Sequence, residues 1–225
     1  MVVVFARDEA DGRVKAFAVQ KDAEGRYPQG YEPTVIRGKF GKRAINQADI
    51  EIRGLRVSED DRLPGCDGFS GANKVLAVSR GGSSWEALGH AMAAYELAVS
   101  YAAERVQFSA PIASYQLVQE KLAGMLADTV SIQMMCHRMA ELQMRHELTA
   151  PMASMVKMFT CRRSLDVCRT ARDIMAGNGM LIENHVGRHL TDMEVVYTYE
   201  GTDSMQALIV GRDITGHSAF TGGRR

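Results

Sequence analysis

The chain has 225 residues, of which 46% are hydrophobic, and its 27 lysines and arginines balance its 27 aspartates and glutamates. This length and apolar fraction are typical of a globular protein with one large or two small domains. The zero net charge argues against nucleic acid or an anionic membrane as the main partner, and no apolar run reaches the roughly 18 to 20 residues that span a bilayer.

Cysteine usage indicates the redox compartment. The four cysteines, at positions 66, 136, 161 and 168, form no C-x-x-C pair, which favours free thiols in a reducing environment. The opening "MVVVFA" is too short for a signal peptide and lacks its basic flank. We therefore expect a protein of the bacterial cytoplasm or the mitochondrial matrix, and not a secreted one.

The first 63 residues have the pattern of β-strands. Four segments favour strands: "MVVVFA", then "RVKAFAV" after a turn at Asp11-Gly12, then "YEPTVIRGKF" and the alternating "ADIEIRGLRV". They predict an antiparallel sheet of about four strands. A sheet that starts at residue 1 would have an unpaired edge, so we expect that the complete sheet includes sequence upstream.

From about residue 72 the apolar period becomes helical. Ser83 or Ser84 is a candidate cap of the first helix, with Glu86 reaching back to it. The stripe predicted to be buried on this helix consists of Leu88, Met92, Tyr95 and Val99. The second predicted helix follows Pro111, and its apolar seam consists of Val118, Leu122, Met125, Ile132, Cys136 and Met139.

Two further helices are predicted. One begins with Pro151 in its first turn, passes through Met155, Phe159 and Leu165, and stops at Gly177. The last runs from about Asp203 to Thr215, with Gly216 as its C-cap. The pattern as a whole predicts an α+β fold, with a partial antiparallel β domain over residues 1–63 and an antiparallel four-helix bundle over residues 72–225. Most of the 14 methionines are expected to fill the core of this bundle.

Two segments have both a binding and a structural interpretation. "ARDIMAGNGM" ends in glycines that suit the approach of a phosphate, although a glycine C-cap has the same pattern. "ERVQFSAPIASYQ" places Arg105, Gln107 and Phe108 at a corner between helices, where an arginine can bind a pyrophosphate or simply cap a helix. The pair His185 and His189 in "HVGRH" has no third ligand at a suitable spacing, so we expect no metal site.

Glu200 stands in "DMEVVYTYEGTDSM", between an aromatic residue and a glycine. Because Thr202, Asp203 and Ser204 are good N-cap residues, Glu200 can be a simple loop residue before the last helix. Alternatively, it is a carboxylate held in apolar surroundings, where its pKa would be raised towards that of a useful base. Local pattern alone leaves both interpretations open.

Taken together and in order, "ERVQFSAPIASYQLVQEKLAGM", "ARDIMAGNGMLIENHVGRHLTDMEVVYTYEGT" and "ALIVGRDITGHSAF" resemble the C-terminal half of an acyl-CoA dehydrogenase. The resemblance extends from Val2 onward and is greatest to the glutaryl-CoA dehydrogenase branch and its short-chain acyl-CoA oxidase relatives. It implies the second part of the middle β domain followed by the complete C-terminal bundle. It also implies an FAD flavoprotein of fatty-acid or amino-acid catabolism that assembles as a homotetramer.

The resemblance implies roles for individual residues. Glu200 matches the catalytic base, Gly201 leaves room for the thioester, and Asn73 and Arg80 match the segment that lines the acyl-CoA site. The cofactor-binding positions that match are Arg105, Gln107, Phe108, Gln116, Asp173, Ile174, Met175, Ala176, Gly177, Thr202, Asp203, Ser204 and Phe220. The sequence departs from the family pattern at Ser109 and Ala176, where the family usually has glycine, and at Asp203-Ser204-Met205, which is less usual after Gly-Thr.

The expected activity is therefore α,β-dehydrogenation of a short acyl-CoA, with an electron-transfer flavoprotein as candidate electron acceptor. One alternative is a related acyl-CoA oxidase. The other is a catalytically silent chain that acts as an oligomerising helical bundle. An intact Glu200-Gly201-Thr202, together with Arg105 and Gly177, favours descent from a working enzyme.

Overall fold

The computed structural model describes residues 1–219, which form α-helices and short antiparallel sheets. The strands are β1 (Val2–Arg7), β2 (Val14–Val19), β3 (Tyr31–Val35), β4 (Ala48–Ile52), β5 (Val106–Gln107) and β6 (Ala110–Pro111). The helices are α1 (Phe69–Glu104), α2 (Gln116–Met144), α3 (Ala150–Ile174), α4 (Val186–Thr198) and α5 (Asp203–Thr215). The predicted α+β class is confirmed. None of these helices is long and apolar enough to cross a bilayer.

The chain forms two compact units. The first comprises Met1–Lys39 and Arg43–Leu76, and the second comprises Phe40–Lys42 and the chain from Ala77 onward. The second unit therefore includes a three-residue segment that lies far from the rest of it in sequence. At this segment, Gly41 packs so closely on the Thr191 carbonyl that an added Cβ would lie 2.3 Å from its oxygen.

The first unit contains the four predicted strands, but they do not form the predicted single sheet. β1 pairs with β2, with Val2 opposite Val19, and β3 pairs separately with β4, with Tyr31 opposite Ile52. Each is a two-stranded antiparallel sheet. Alternating apolar residues identify a strand and its faces, whereas they do not specify which strand lies beside it.

Helix α1 begins at Phe69, well before the predicted serine cap. Ser83 and Ser84 lie inside the helix, where their hydroxyls donate to the carbonyls of Ser79 at 3.3 Å and Arg80 at 3.2 Å. A serine four residues after a helical carbonyl bonds back to it as readily as it caps a helix start. The predicted cap was therefore wrong.

The predicted apolar stripe of α1 was also mostly wrong. Leu88 is buried, but Met92 and Val99 are exposed and Tyr95 is half-buried. The stripe that is fully buried consists instead of Ala87, Ala91, Ala94, Ala98 and Ala102. Small side chains allow neighbouring helices to approach closely: the Ser164 hydroxyl of α3 donates to the Ala87 carbonyl at 2.6 Å.

Helix α3 is the centre of the second unit, since it contacts α2, α4 and α5 and bonds to α1 through Ser164. The predicted α2 seam is confirmed, with Met125, Ile132, Cys136 and Met139 buried. On α3, Leu165 is buried but Met155 is exposed. Only Met125, Met139, Met175 and Met193 are buried among the methionines, so the core-filling prediction was wrong for most of them.

The last predicted helix is confirmed as α5, and the Gly216 N–H donates to the Arg212 carbonyl at 2.9 Å with φ 72°. Between α3 and α5 lies α4, which the sequence pattern did not predict. The described chain therefore has five helices instead of four. The missed helix determines how the chain enters the Glu200 loop.

Candidate functional site

Glu200 lies in a tight loop between α4 and α5. The Tyr199 N–H still donates to the Val195 carbonyl at 2.9 Å, after which Glu200 has φ 57° and Gly201 has φ 90°. Thr202 then caps α5 by accepting from the Met205 N–H at 3.4 Å. A left-handed conformation costs a non-glycine residue about 1–2 kcal/mol, so contacts around Glu200 must hold it.

Two buried side chains bind the carbonyl oxygens of this loop. Gln206 donates from Nε2 to the Glu200 carbonyl at 3.0 Å and to the Gly201 carbonyl at 2.9 Å. Lys157 Nζ, on α3, also donates to the Gly201 carbonyl at 2.9 Å. Gln206 is 0% exposed and Lys157 is 1% exposed. Burial lowers the pKa of Lys157, while the nearby Cys161, Glu200 and Asp203 act in the opposite direction.

The Glu200 carboxylate faces polar groups of α1. The Ser79 hydroxyl donates to Glu200 Oε2. Arg80 is only 8% exposed, and burial lowers its pKa while the charge of Glu200 raises it. The Arg80 Nε is a buried donor with no hydrogen-bond partner in the part of the chain that the structure describes. The structure thus brings together the predicted base and two predicted substrate residues, Arg80 and Gly201.

The residues that follow Glu200 are the start of α5. Asp203 accepts two hydrogen bonds from Arg162, at 2.6 and 2.7 Å, and this pairing lowers the pKa of Asp203. Thr202 and Ser204 are exposed. All three predicted cofactor residues therefore lie beside the base, with Asp203 already paired within the chain.

The second group of predicted cofactor residues surrounds a hairpin between α1 and α2. The Tyr115 hydroxyl donates to the Gln107 carbonyl at 2.7 Å, and Gln116 is the first residue of α2. Phe108, at the hairpin tip, is 92% exposed and has φ 51°. Arg105, Gln107 and Gln116 are also exposed, so this hairpin presents donors and an aromatic face to solvent.

The predicted turn after α3 lies near the same end of the bundle. Asp173 pairs with Lys121 of α2 at 2.6 Å, and the Asn178 amide donates to the Tyr101 hydroxyl of α1 at 2.8 Å. Ile174 and Met175 are buried and act as core residues. Gly177 is exposed, and an added Cβ there would meet no atom within 4 Å.

Two departures from the family pattern, Ser109 and Ala176, fall on strained backbone. Ser109 has φ 67° and Ala176 has φ 49°. Glycine, which the family resemblance implies at both positions, adopts this region without a steric penalty.

The two groups of predicted residues lie at opposite ends of the second unit. Ser79 marks the Glu200 end of α1 and Tyr101 marks the hairpin end, and at 1.5 Å per residue the 22 residues between them span about 33 Å. One chain therefore does not bring Arg105 or Gly177 to Glu200. Asn73 is an exposed α1 residue of the first unit, and Phe220 lies outside the described residues.

A polar stripe on α1 was missed by the sequence reasoning. Ser79, Ser83, Glu86 and His90 recur at helical spacing towards α4. The Tyr199 hydroxyl donates to Glu86, which also forms an ion pair with Lys42, and burial raises the pKa of Tyr199. The i, i+4, i+7, i+11 spacing of these polar residues was the available signal.

The histidine pair of "HVGRH" is divided between two environments. His185 is exposed and precedes α4 with φ 57°, whereas His189 Nδ1 lies 3.0 Å from His90 Nδ1. Within residues 1–219, no three side chains of histidine, cysteine, aspartate or glutamate are grouped as a metal site would require.

Comparison with known proteins identifies the family. The family model for the acyl-CoA dehydrogenase C-terminal domain matches residues 66–215. The chain is 33% identical over 212 residues to an acyl-CoA dehydrogenase of Bacillus subtilis, covering 94% of this chain and 55% of that one. It is 32% identical over 177 residues to a 3-(aryl)acrylate reductase of Clostridium sporogenes, covering 78% and 47%.

Solved structures agree with this assignment. Two structures of glutaryl-CoA dehydrogenase from Mycobacterium smegmatis, one of them in complex with FADH2, each superpose with a TM-score of 0.91. They are 32% and 28% identical to this chain, and the superpositions cover 97% of it and 55% of those chains. The chain belongs to the acyl-CoA dehydrogenase family. It spans about half the length of the relatives it matches.

Proposed function

We propose that this chain is the C-terminal portion of an FAD-dependent acyl-CoA dehydrogenase that dehydrogenates a short acyl-CoA at its α,β bond, with Glu200 as the catalytic base. The observation that carries this proposal is the Glu200 carboxylate, held on a left-handed loop beside Ser79 and the buried Arg80. The left-handed conformation costs Glu200 about 1–2 kcal/mol that a glycine would avoid, and at this position it places the carboxylate beside Ser79 and Arg80.

In this reaction Glu200 removes the α-proton of the thioester. FAD, when bound, accepts the hydride that leaves the β-carbon. The Ser79 hydroxyl keeps the carboxylate on the α1 side of the loop by donating to Oε2. Arg80 is proposed as the polar anchor, since its Nε has no hydrogen-bond partner among the described residues and could donate to a thioester or nucleotide oxygen. The Glu200 backbone N–H is proposed to bind the thioester carbonyl and polarise it.

The residues proposed to hold FAD offer hydrogen-bond donors, which suit the many acceptor atoms of a dinucleotide. Arg105, Gln107 and Gln116 offer exposed side-chain donors, Phe108 offers an open aromatic face, and Gly177 leaves the backbone accessible. Thr202, Asp203, Ser204 and the turn from Asp173 to Ala176 complete the proposed set. Because the hairpin lies about 33 Å from the Glu200 end along α1, we propose that each cofactor is held by residues from two copies of the chain.

This arrangement makes oligomerisation part of the proposal. The hairpin of one copy would complete the cofactor site at the Glu200 loop of another, consistent with a homotetramer. An electron-transfer flavoprotein is the proposed electron acceptor. Asn73 stays a proposed substrate residue, and Phe220 a proposed cofactor residue.

The visible spectrum tests the proposal. The purified chain is incubated with FAD, passed over a desalting column and titrated anaerobically with butyryl-CoA. We expect a retained flavin spectrum that bleaches with the thioester. In Glu200→Gln, flavin should be retained and the bleaching rate should fall by about 10²–10⁴-fold, which is the usual contribution of a general base.

A matched control is Glu194→Gln. Glu194 is a carboxylate of α4 that pairs with Arg169 at 2.8 Å and lies outside the Glu200 loop. Its substitution should leave bleaching unchanged. Failure of the wild-type chain to retain flavin would contradict flavin binding by this chain alone and favour the silent oligomerising bundle. Bleaching that survives in Glu200→Gln would contradict the assignment of the base.

A further inference from the structure

The Glu200 loop has one strained residue, Glu200, followed by a glycine that also has positive φ. Glu200 and Gly201 both have positive φ, at 57° and 90°. For Glu200 the left-handed conformation is unfavourable by about 1–2 kcal/mol, so the free loop would populate other conformations. A loop whose observed conformation is intrinsically unfavourable keeps a single geometry only when the surrounding residues hold it there.

Three hydrogen bonds determine the geometry here. Gln206 Nε2 donates to both loop carbonyls and Lys157 Nζ donates to the second. A peptide unit is planar and trans, so fixing its carbonyl also fixes the N–H on the opposite side of the bond. The contacts therefore orient two successive peptide units, directly after the proposed base.

Gly201 is part of the same arrangement. A Cβ on Gly201 would lie 2.7 Å from Gln206 Nε2, so the glutamine amide occupies the space that a side chain would need. The absence of a side chain at Gly201 thus allows Gln206 to reach the loop carbonyls. The family resemblance implies that it also leaves room for a thioester.

If these contacts were purely structural, they would carry an unfavourable free energy of burying polar groups. Lys157 is a buried amine, and Gln206 Oε1 has no hydrogen-bond partner among the described residues. Replacing buried charged groups by apolar side chains of similar volume is often neutral or stabilising. Simple packing between α3 and α5 would therefore be served as well by methionine or leucine at both positions.

We infer that Lys157 and Gln206 are positioning residues, which hold the Glu200–Gly201 backbone in the conformation that directs the Glu200 carboxylate towards Ser79 and Arg80. The catalytic meaning of this inference rests on the proposed function of Glu200. The two residues act through the loop backbone, and neither is assigned a contact with the reacting atoms.

Relaxation-dispersion NMR tests the inference without cofactor or substrate, since it detects exchange on the μs–ms timescale. The wild-type chain should show flat dispersion profiles at Glu200, Gly201 and Thr202. In Lys157→Met and Gln206→Met we expect dispersion at these three residues, with the greatest amplitude in the double variant. The carbonyl ¹³C resonances of Glu200 and Gly201 should shift upfield as their hydrogen bonds are lost.

Val167→Ala is the matched control, because Val167 is buried on the same helix, ten residues after Lys157, and its truncation only removes core packing. This variant should lower the unfolding midpoint without dispersion in the loop. Unchanged dispersion and unchanged carbonyl shifts in the double variant would overturn the inference. So would equal loop dispersion in Val167→Ala, since that would indicate general loosening of the bundle.

The flavin assay then separates the two proposals. If Glu200 is the base, Lys157→Met should slow thioester-dependent bleaching by about 10–100-fold, the effect of a misplaced reacting group, with little change in the butyryl-CoA concentration at half-saturation. Loop dispersion in the variants without any bleaching in the wild-type chain would contradict the proposed function alone. Normal bleaching rates despite loop dispersion would overturn the positioning role.

Discussion

The two ends of the second unit differ in how their predicted site residues are held. At the Glu200 end, Lys157, Gln206 and Arg80 are buried, and they bind or electrostatically contact the loop. At the hairpin end, Arg105, Phe108 and Gly177 are exposed. The first end is organised within one chain, whereas the second presents groups that a ligand or another copy would bury. Substitutions at the two ends should therefore have different effects on stability.

Gly201→Ala should have the largest effect, and Gly177→Ala is its counterpart at the other end. Gly201→Ala combines an alanine at φ 90° with a Cβ that lies 2.7 Å from Gln206. We expect a loss of about 3–4 kcal/mol in the free energy of unfolding. Gly177→Ala should change it by less than about 0.5 kcal/mol, because the added Cβ meets open space. Urea unfolding of both variants measures this contrast. Equal losses would contradict the difference between the two ends.

The half-buried histidine His90, between the two ends, predicts a pH dependence. Burial lowers the pKa of His90 to about 4, with Lys42, His189 and Arg188 adding to the effect and Asp192 opposing it. A histidine whose folded pKa lies below its unfolded value of about 6.5 contributes stability above that value. This stability should fall by up to about 3 kcal/mol as the pH decreases from 6.5 to 4.

Urea unfolding at pH 7.5 and pH 4.5 measures this change. His90→Gln should reduce the difference between the free energies of unfolding at the two pH values. His137→Gln, at an exposed position on α2, should leave it intact and is the control. An unaltered pH dependence in His90→Gln would show that other groups carry it.

Ala176→Gly should have the smallest effect and the opposite sign. Alanine at φ 49° is in the left-handed region, so a glycine there removes strain of about 1 kcal/mol. The greater freedom of glycine in the unfolded chain offsets part of this gain. We expect a net stabilisation of up to about 1 kcal/mol, measured by urea unfolding. A loss of stability would mean that the Ala176 side chain makes favourable contacts that outweigh its backbone strain.

The sequence predicted the elements better than their packing. Helix α5 was predicted at its observed bounds and the strands within one residue of their observed starts, because alternation and capping residues are local signals. The third and fourth predicted strand segments run five residues past the observed ends at Val35 and Ile52. The buried stripe of α1 was mispredicted because the prediction relied on large apolar residues, whereas the buried residues are alanines, which allow close helix contact. Helix α4 was missed because "EVVYTY" is apolar and β-branched, and burial of Val186, Met193 and Val196 determines its helical state.

Part of the candidate site could be predicted from the sequence. Family-like motifs predicted Glu200, Gly201 and Arg80, which the structure brings together. Lys157 and Gln206 were not predicted. They follow no motif, and their contacts join α3, α5 and the loop from positions 44 and 5 residues away. The helical spacing of the polar stripe with His90 was a signal in the sequence, whereas its partners His189 and Tyr199 could be identified only once α4 was known.

The segment Phe40–Lys42 has a consequence for dividing the chain into parts. It belongs to the second unit although more than 30 residues separate it from Ala77. A recombinant bundle that begins at residue 72 would therefore lack Lys42, and Glu86 would lose its cation. The Thr191 carbonyl would also lose its close contact with Gly41. Limited proteolysis on both sides of residues 40–42 should leave this tripeptide held to the bundle only weakly, by noncovalent contacts. A stable bundle separated from the first unit therefore needs this segment to be attached to it.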